Sequence, residues 1–186
     1  MRSLTLSAAA LAAAACVNTL SVGAQVRWRT FERLAGRRAW QLHVALITPG
    51  WLLFLCSLPA VRHGSALAIR RRRTLGLTLI GAAGGLWLAA VKQIGGARVF
   101  NADAFGAVPA RRTRSGPYRW LQNPIYDSYA VALAGWALFT GSGGYLVLTL
   151  ESLILLNLVE AAVEARSLDG SRRDGDHRWF ALLPLA

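Results

Sequence analysis

The chain has 186 residues, of which 54% are hydrophobic and only 16% charged, with a mean hydropathy of +0.38. That composition excludes an ordinary soluble globular domain and points to an integral membrane protein. The net charge of +12 would suggest nucleic acid as the partner of a soluble protein, but here the arginines stand between apolar runs, as juxtamembrane anchors facing anionic lipid do, so no nucleic acid is expected.

A helix needs about 20 apolar residues to cross a bilayer core of roughly 30 Å. The first such run is Ala-rich, residues 4–26, and it admits a second reading as a signal peptide, because Arg2 precedes it and Val22-Gly23-Ala24 resembles a small-residue cleavage site. A basic connection follows with Arg27, Arg29, Arg33, Arg37 and Arg38, and then a second run over 40–61. Arg70 to Arg73 precede the third run, 74–94. Residues 95–123 form a polar loop carrying Arg111, Arg112, Arg114 and Arg119. The apolar stretch 124–163 is too long for one crossing and contains GSGG, Gly141 to Gly144, so it is expected to be a helical hairpin of 124–141 and 145–163. A basic tail, 165–186, closes a single membrane domain.

The expected fold is therefore all-α, an integral membrane bundle of four to five transmembrane helices whose last two form a hairpin. With the hairpin counted as two crossings, the first connection, the loop and the tail share one side and hold most of the arginines, which makes that side cytosolic. Arg70 to Arg73 fall on the other side. Cys16 and Cys56 sit inside apolar runs and read as small buried hydrophobes rather than as a disulfide or metal pair. His43, His63 and His177 are dispersed and lack ligand spacing, so no metal site is expected. No period-2 strand pattern and no Gly-rich loop after a strand is present, which excludes a Rossmann-type domain.

Chemistry concentrates around the loop. Gly116-Pro117 punctuates its end, Pro124 suits the first turn of a helix, and Asn123 is placed to cap that turn. Such a helix start offers free N–H groups to an anion, or is simply capped. Tyr118, Trp120 and Tyr126 surround this point, as interfacial residues or as faces for a sulfonium or ammonium. Asn157, Glu160 and Glu164 follow at spacings of three and four and so share one helix face. Acids near membrane depth usually face protein or a wet cavity; a salt bridge to Arg111, Arg112 or Arg166 is the plainer reading. Gly81 and Gly85 form a small-xxx-small pair, a pattern of close helix contact that would also admit a flat ligand. Asp103 either takes part in chemistry, caps the loop, or binds Arg98.

Four elements occur in order between Phe100 and Ser142: Asp103-Ala104-Phe105-Gly106, Pro117-Tyr118, Leu121-Gln122-Asn123-Pro124-Ile125-Tyr126 and Gly135-Trp136-Ala137. In this order and spacing they resemble the phosphatidylethanolamine N-methyltransferases, small membrane phospholipid methyltransferases, and Gly-Pro-Tyr-Arg resembles the wider superfamily of isoprenylcysteine carboxyl methyltransferases. The resemblance implies S-adenosylmethionine as cofactor, held by Gly81, Ala83, Asn123, Tyr126, Glu160 and Glu164. It implies a phospholipid substrate, with Arg111, Arg112, Arg114 and Tyr118 near its headgroup and Asp103 or Glu164 receiving the amine's proton. The host membrane would be the endoplasmic reticulum of a eukaryote or the inner membrane of a bacterium, with homo-oligomerisation left open. The chain departs from the family pattern at three places: Ala83 replaces the second glycine of Gly-x-Gly, Val163 the first of two glutamates, and Asp127-Ser128 a Trp-Gly. Two alternatives stand beside the phospholipid reading, a prenylcysteine carboxyl methyltransferase and a non-catalytic membrane scaffold with the same fold.

Overall fold

The computed structural model describes residues 2–64, 69–109 and 113–159. Every regular element among them is a helix. α1 spans Arg2–Trp28, α2 Thr30–Ala35, α3 Ala39–Gly64, α4 Arg73–Ile94, α5 Gly96–Val99, α6 Pro124–Thr140 and α7 Gly144–Val159. Two 3-10 turns, Gly36–Arg38 and Gly116–Arg119, complete the described chain.

Among the described residues, three stretches are long and apolar enough to cross a membrane: Leu4–Trp28, Thr30–Val61 and Arg73–Ile94. Gly144–Leu158 is a shorter apolar helix, while α6 has 17 residues. The apolar character is directed outward as well as inward. Leu46, Leu52, Leu55, Leu77, Leu88 and Ile154 are all exposed. Exposed leucines on successive turns of several helices are the surface of a protein whose solvent is hydrocarbon.

α1 packs along α3 and α4 packs along α6, and α7 joins the two pairs by touching α6, α1 and α3. The main core lies where they meet: Leu11, Phe54, Val61, Leu133, Tyr145 and Leu148 are buried together. Gly141 ends α6 in the left-handed region at φ 77°, a conformation that costs glycine little, and its N–H donates to the Ala137 carbonyl. Three residues, Gly141 to Gly143, then lead into α7, and the Ser142 hydroxyl donates to the Val61 carbonyl.

α4 and α6 run antiparallel at backbone contact. A Cβ built on Gly76 would lie 2.6 Å from the Phe139 nitrogen and 2.7 Å from the Gly135 oxygen, and one on Gly135 would lie 2.9 Å from the Gly76 oxygen. Neither position tolerates a side chain without displacement. The small-residue contact is thus at Gly76 and Gly135, not at Gly81 and Gly85. A Cβ on Gly81, Gly84 or Gly85 would meet nothing within 4 Å among the described residues, because these glycines face outward.

Candidate functional site

The C-terminal ends of α1, α4 and α7, the start of α3 and the start of α6 lie at one end of the bundle, together with the loop that follows α4. Contacts fix this arrangement: the Trp40 indole N–H donates to the Phe100 carbonyl at 3.0 Å, and Asn101 Nδ2 donates to Asn18 Oδ1 at 3.0 Å. At the opposite end, the Ile69 N–H donates to the Gly141 carbonyl and the Arg72 N–H to the Leu138 carbonyl.

A cavity of about 750 Å³ opens at the loop end, within the volume range of small-molecule sites. Its wall is the end of α4, α5 and the returning loop, from Gln93 to Arg98 and again at Val108 and Thr113 to Ser115. Gln93 Nε2 donates to Ser115 Oγ across this wall, and Arg98 Nη2 donates to the Pro109 carbonyl, so the returning strand of loop is tied to α4 and α5. Arg98 and Arg114 both line the cavity, Arg98 tied to Pro109 and Arg114 exposed. Two cations beside a cleft suit an anionic oxygen, whether phosphate or carboxylate.

Asp103 lies a few residues behind this wall. Its Oδ1 accepts from the Ala104 N–H at 3.1 Å, so one carboxylate oxygen braces the local turn. Burial pushes its carboxyl above the usual carboxylate range, an effect that the Ala104 hydrogen bond and the charge of Arg98 partly offset. Asp103 thus braces the loop through the Ala104 N–H, and the Arg98 charge acts on its carboxylate from nearby.

Asn123 caps α6: its Oδ1 accepts from the Tyr126 N–H at 3.4 Å, with Pro124 at the first helical position. Tyr118 sits half-buried in the 3-10 turn Gly116–Arg119 just before it, and Tyr126 is half-buried on the first turn of α6. Ala83 is 2% exposed and packs inside, whereas Gly81, two residues and about 200° around the helix from it, looks outward. At 1.5 Å per residue, Gly81 lies roughly 18 Å along α4 from Gln93 at the cavity wall. The structure thus puts Arg114 in the cavity wall, holds Asp103 in the loop behind Arg98 and outside that wall, sets Asn123 and Tyr126 at the α6 start, and leaves Gly81 and Ala83 deeper and on opposed faces. Arg111, Arg112, Glu160, Glu164 and the basic tail lie outside the described residues.

Sequence reasoning passed over three buried polar groups beside the site. Asp127, on the first helical turn after Asn123, is 1% exposed and neither carboxylate oxygen has a hydrogen-bond partner among the described residues. Gln122 Oε1 is likewise buried without a partner among the described residues, and the buried Trp87 indole nitrogen has only the Tyr129 hydroxyl as a long contact. α4 and α6 meet at Ile80 and Gly135, so counting the same distance outward along both antiparallel helices brings Trp87 level with Ser128, beside Asp127. The signal was present in the sequence, since Asp127-Ser128 is a departure from an otherwise regular motif.

The sequence model of one family, phospholipid methyltransferase, matches residues 71–170, more than half of the chain. The chain belongs to the phospholipid methyltransferase family. Comparison with curated proteins and with solved structures gives no match. For this phospholipid methyltransferase the matched region begins at α4 and takes in the cavity, Asp103, Asn123 and the Gly76 to Gly135 contact, while α1 to α3 precede it.

Proposed function

We propose that the chain transfers methyl groups from S-adenosylmethionine to the amine of phosphatidylethanolamine, or of its mono- and dimethyl derivatives, at the loop end of the bundle. The observation that carries this reading is the cavity lined by Arg98 and Arg114, inside the region matched to the family, with Asp103 within reach of the Arg98 charge. A prenylcysteine carboxylate would need an isoprenoid groove there; two guanidinium groups suit a phosphodiester better.

The residues present fit the cofactor. The cavity is large enough for a small molecule. Gln122 Oε1, next to Asn123 at the α6 start, is buried without a hydrogen-bond partner among the described residues. Asn123, Tyr126, Glu160 and Glu164, with Gly81 and Ala83, are the residues the family resemblance assigns to its binding. When bound, S-adenosylmethionine supplies an electrophilic methyl group on a sulfonium centre.

The chain's own work is alignment, exclusion of water and handling of one proton. A headgroup ammonium has no lone pair, so it must lose a proton before it can attack. Asp103 receives that proton directly or through a water, and its burial makes it a better base than an exposed carboxylate. Arg114, with Arg111 and Arg112, holds the phosphodiester at headgroup depth, and Tyr118 flanks the amine. The larger share of arginines at this end supports a cytosolic site by the positive-inside rule, in a topology where α6 and α7 cross as a hairpin.

The test is incubation of purified protein with labelled donor and, separately, the ethanolamine, monomethyl and dimethyl phospholipids. Incorporation into at least one is expected, falling at low pH as Asp103 becomes protonated, with Asp103→Asn lowering kcat and flattening that acid limb. Donor binding without incorporation into any of the three would leave the scaffold reading instead.

A further inference from the structure

The loop that carries Asp103 is held from outside the family-matched region. Phe105, two residues on from Asp103, is 5% exposed and enters a pocket formed by α2 and α3. The His43 ring stacks on it with centroids 4.5 Å apart at 27°, and Phe31 meets it edge-on at 5.4 Å. Phe31 is fixed in turn because its N–H donates to Gln25 Oε1 at 3.1 Å. Asn101 is tied to Asn18 and the Phe100 carbonyl to Trp40, as described above.

Asn18, Ser21 and Gln25 are spaced by three and four residues, so they form one polar stripe on the last turns of the otherwise apolar α1, and all three are buried. Each has a task in this pocket. Ser21 orients His43: its Oγ lies 2.8 Å from His43 Nδ1 and also donates to the Asn18 carbonyl at 3.0 Å. A serine has one hydroxyl hydrogen. With that hydrogen on Asn18, Nδ1–H is the donor to Ser21, and Nε2 is left with its lone pair. That nitrogen is buried and has no partner among the described residues, in a side chain of 0% exposure.

We propose that His43 is a positioning residue for methyl transfer: held by Ser21, its ring stacks on Phe105 and fixes the Asp103 loop against the N-terminal helices. It acts through the flat face of the ring, not through Nε2. The proposal rests on the reading of Asp103 as proton acceptor, but the placement of the loop can be measured without any turnover.

Two full-length variants decide it, His43→Phe, which keeps a flat ring, and His43→Ala, which does not. Amide hydrogen exchange over residues 100–106 reports the loop. His43→Ala should exchange there about tenfold faster, the scale of one aromatic pair, while His43→Phe should match wild type. In turnover, His43→Ala should lower kcat roughly ten- to hundredfold, as an ångström-scale misplacement does, with the KM values of donor and phospholipid within about twofold. His43→Phe should restore kcat. If His43→Ala does not fold, Phe105→Leu removes the other half of the stack and should show the same pair of effects. Unchanged exchange in His43→Ala would overturn the proposal. So would a His43→Phe protein with wild-type exchange and a kcat as low as that of His43→Ala, because the ring nitrogen would then be doing chemistry. If wild-type protein transfers no methyl group, the proposed function falls, and the exchange measurement still decides whether His43 holds the loop.

Discussion

Replacing Gly76 with alanine should destabilise the bundle, although glycine to alanine within a helix ordinarily stabilises by about 1 kcal/mol. The added Cβ would sit 2.6 Å from the Phe139 nitrogen, 2.7 Å from the Gly135 oxygen and 2.9 Å from the Phe139 Cα. All three are backbone atoms of α6 and cannot swing aside as a side chain would. Ordinary contact begins near 3.4 Å, so α4 and α6 must separate locally by about 0.8 Å, and a gap of that size forfeits roughly a quarter to a half of each dispersion contact it opens. Overpacking of this kind costs about 1 to 3 kcal/mol. Gly81→Ala is the matched control, since its Cβ would meet nothing within 4 Å. Thermal unfolding of both variants in the same neutral detergent, followed by tryptophan fluorescence, gives the comparison. Gly76→Ala should unfold at lower temperature than wild type and Gly81→Ala at the same or a higher one. Equal behaviour of the two would refute the close approach of α4 and α6.

Arg114→Gln should raise the apparent KM for phospholipid in neutral detergent micelles while leaving donor affinity nearly intact; a wild-type KM there would reduce Arg114 to a membrane anchor. Glu164→Gln should weaken donor binding by about 1 to 3 kcal/mol, read by titration, the range for losing a charged hydrogen-bond partner. Asn123→Ala should lower stability by about 0.5 to 2 kcal/mol, the cost of a lost N-cap, as measured by the same unfolding assay. Cysteines at Arg37 and Arg70, both exposed and at opposite ends of the bundle, should label from opposite sides of sealed vesicles, Arg37→Cys from the cytosol. Ser142, at 5% exposure, is a poor reporter, because burial alone would protect a cysteine there.

Much of the fold was legible because hydrophobic run length translates directly into helices in a bilayer. The run 74–94 became α4 at Arg73–Ile94, and 40–61 became α3 at Ala39–Gly64. The Asn123-Pro124 signal worked for the same reason: capping chemistry is local and needs only its own four residues. Glycine pairing was not legible. Gly76, Gly81 and Gly85 all lie on α4, and only the relative rotation of α4 and α6 decides which of them meets Gly135. The loop's docking was hidden too, since Asn18, Ser21 and Gln25 are too few to break an apolar run, and His43 has no spacing partner until Phe105 arrives from 62 residues away. α2 was missed because six residues between two basic clusters carry little periodicity.

The pocket around Phe105 also bears on how such a chain can change over time. Phe105 belongs to the stretch shared with the family, whereas Phe31 and His43 precede it. A substitution at Phe105 alters which side chains are acceptable at 31 and 43, and a change on either of those two helices is felt at the loop. These three positions should therefore drift in concert among descendants, and a family segment transplanted behind a foreign leader of helices should arrive with its Asp103 loop unmoored. The unit of inheritance for this loop is longer than the stretch by which its kinship is detected.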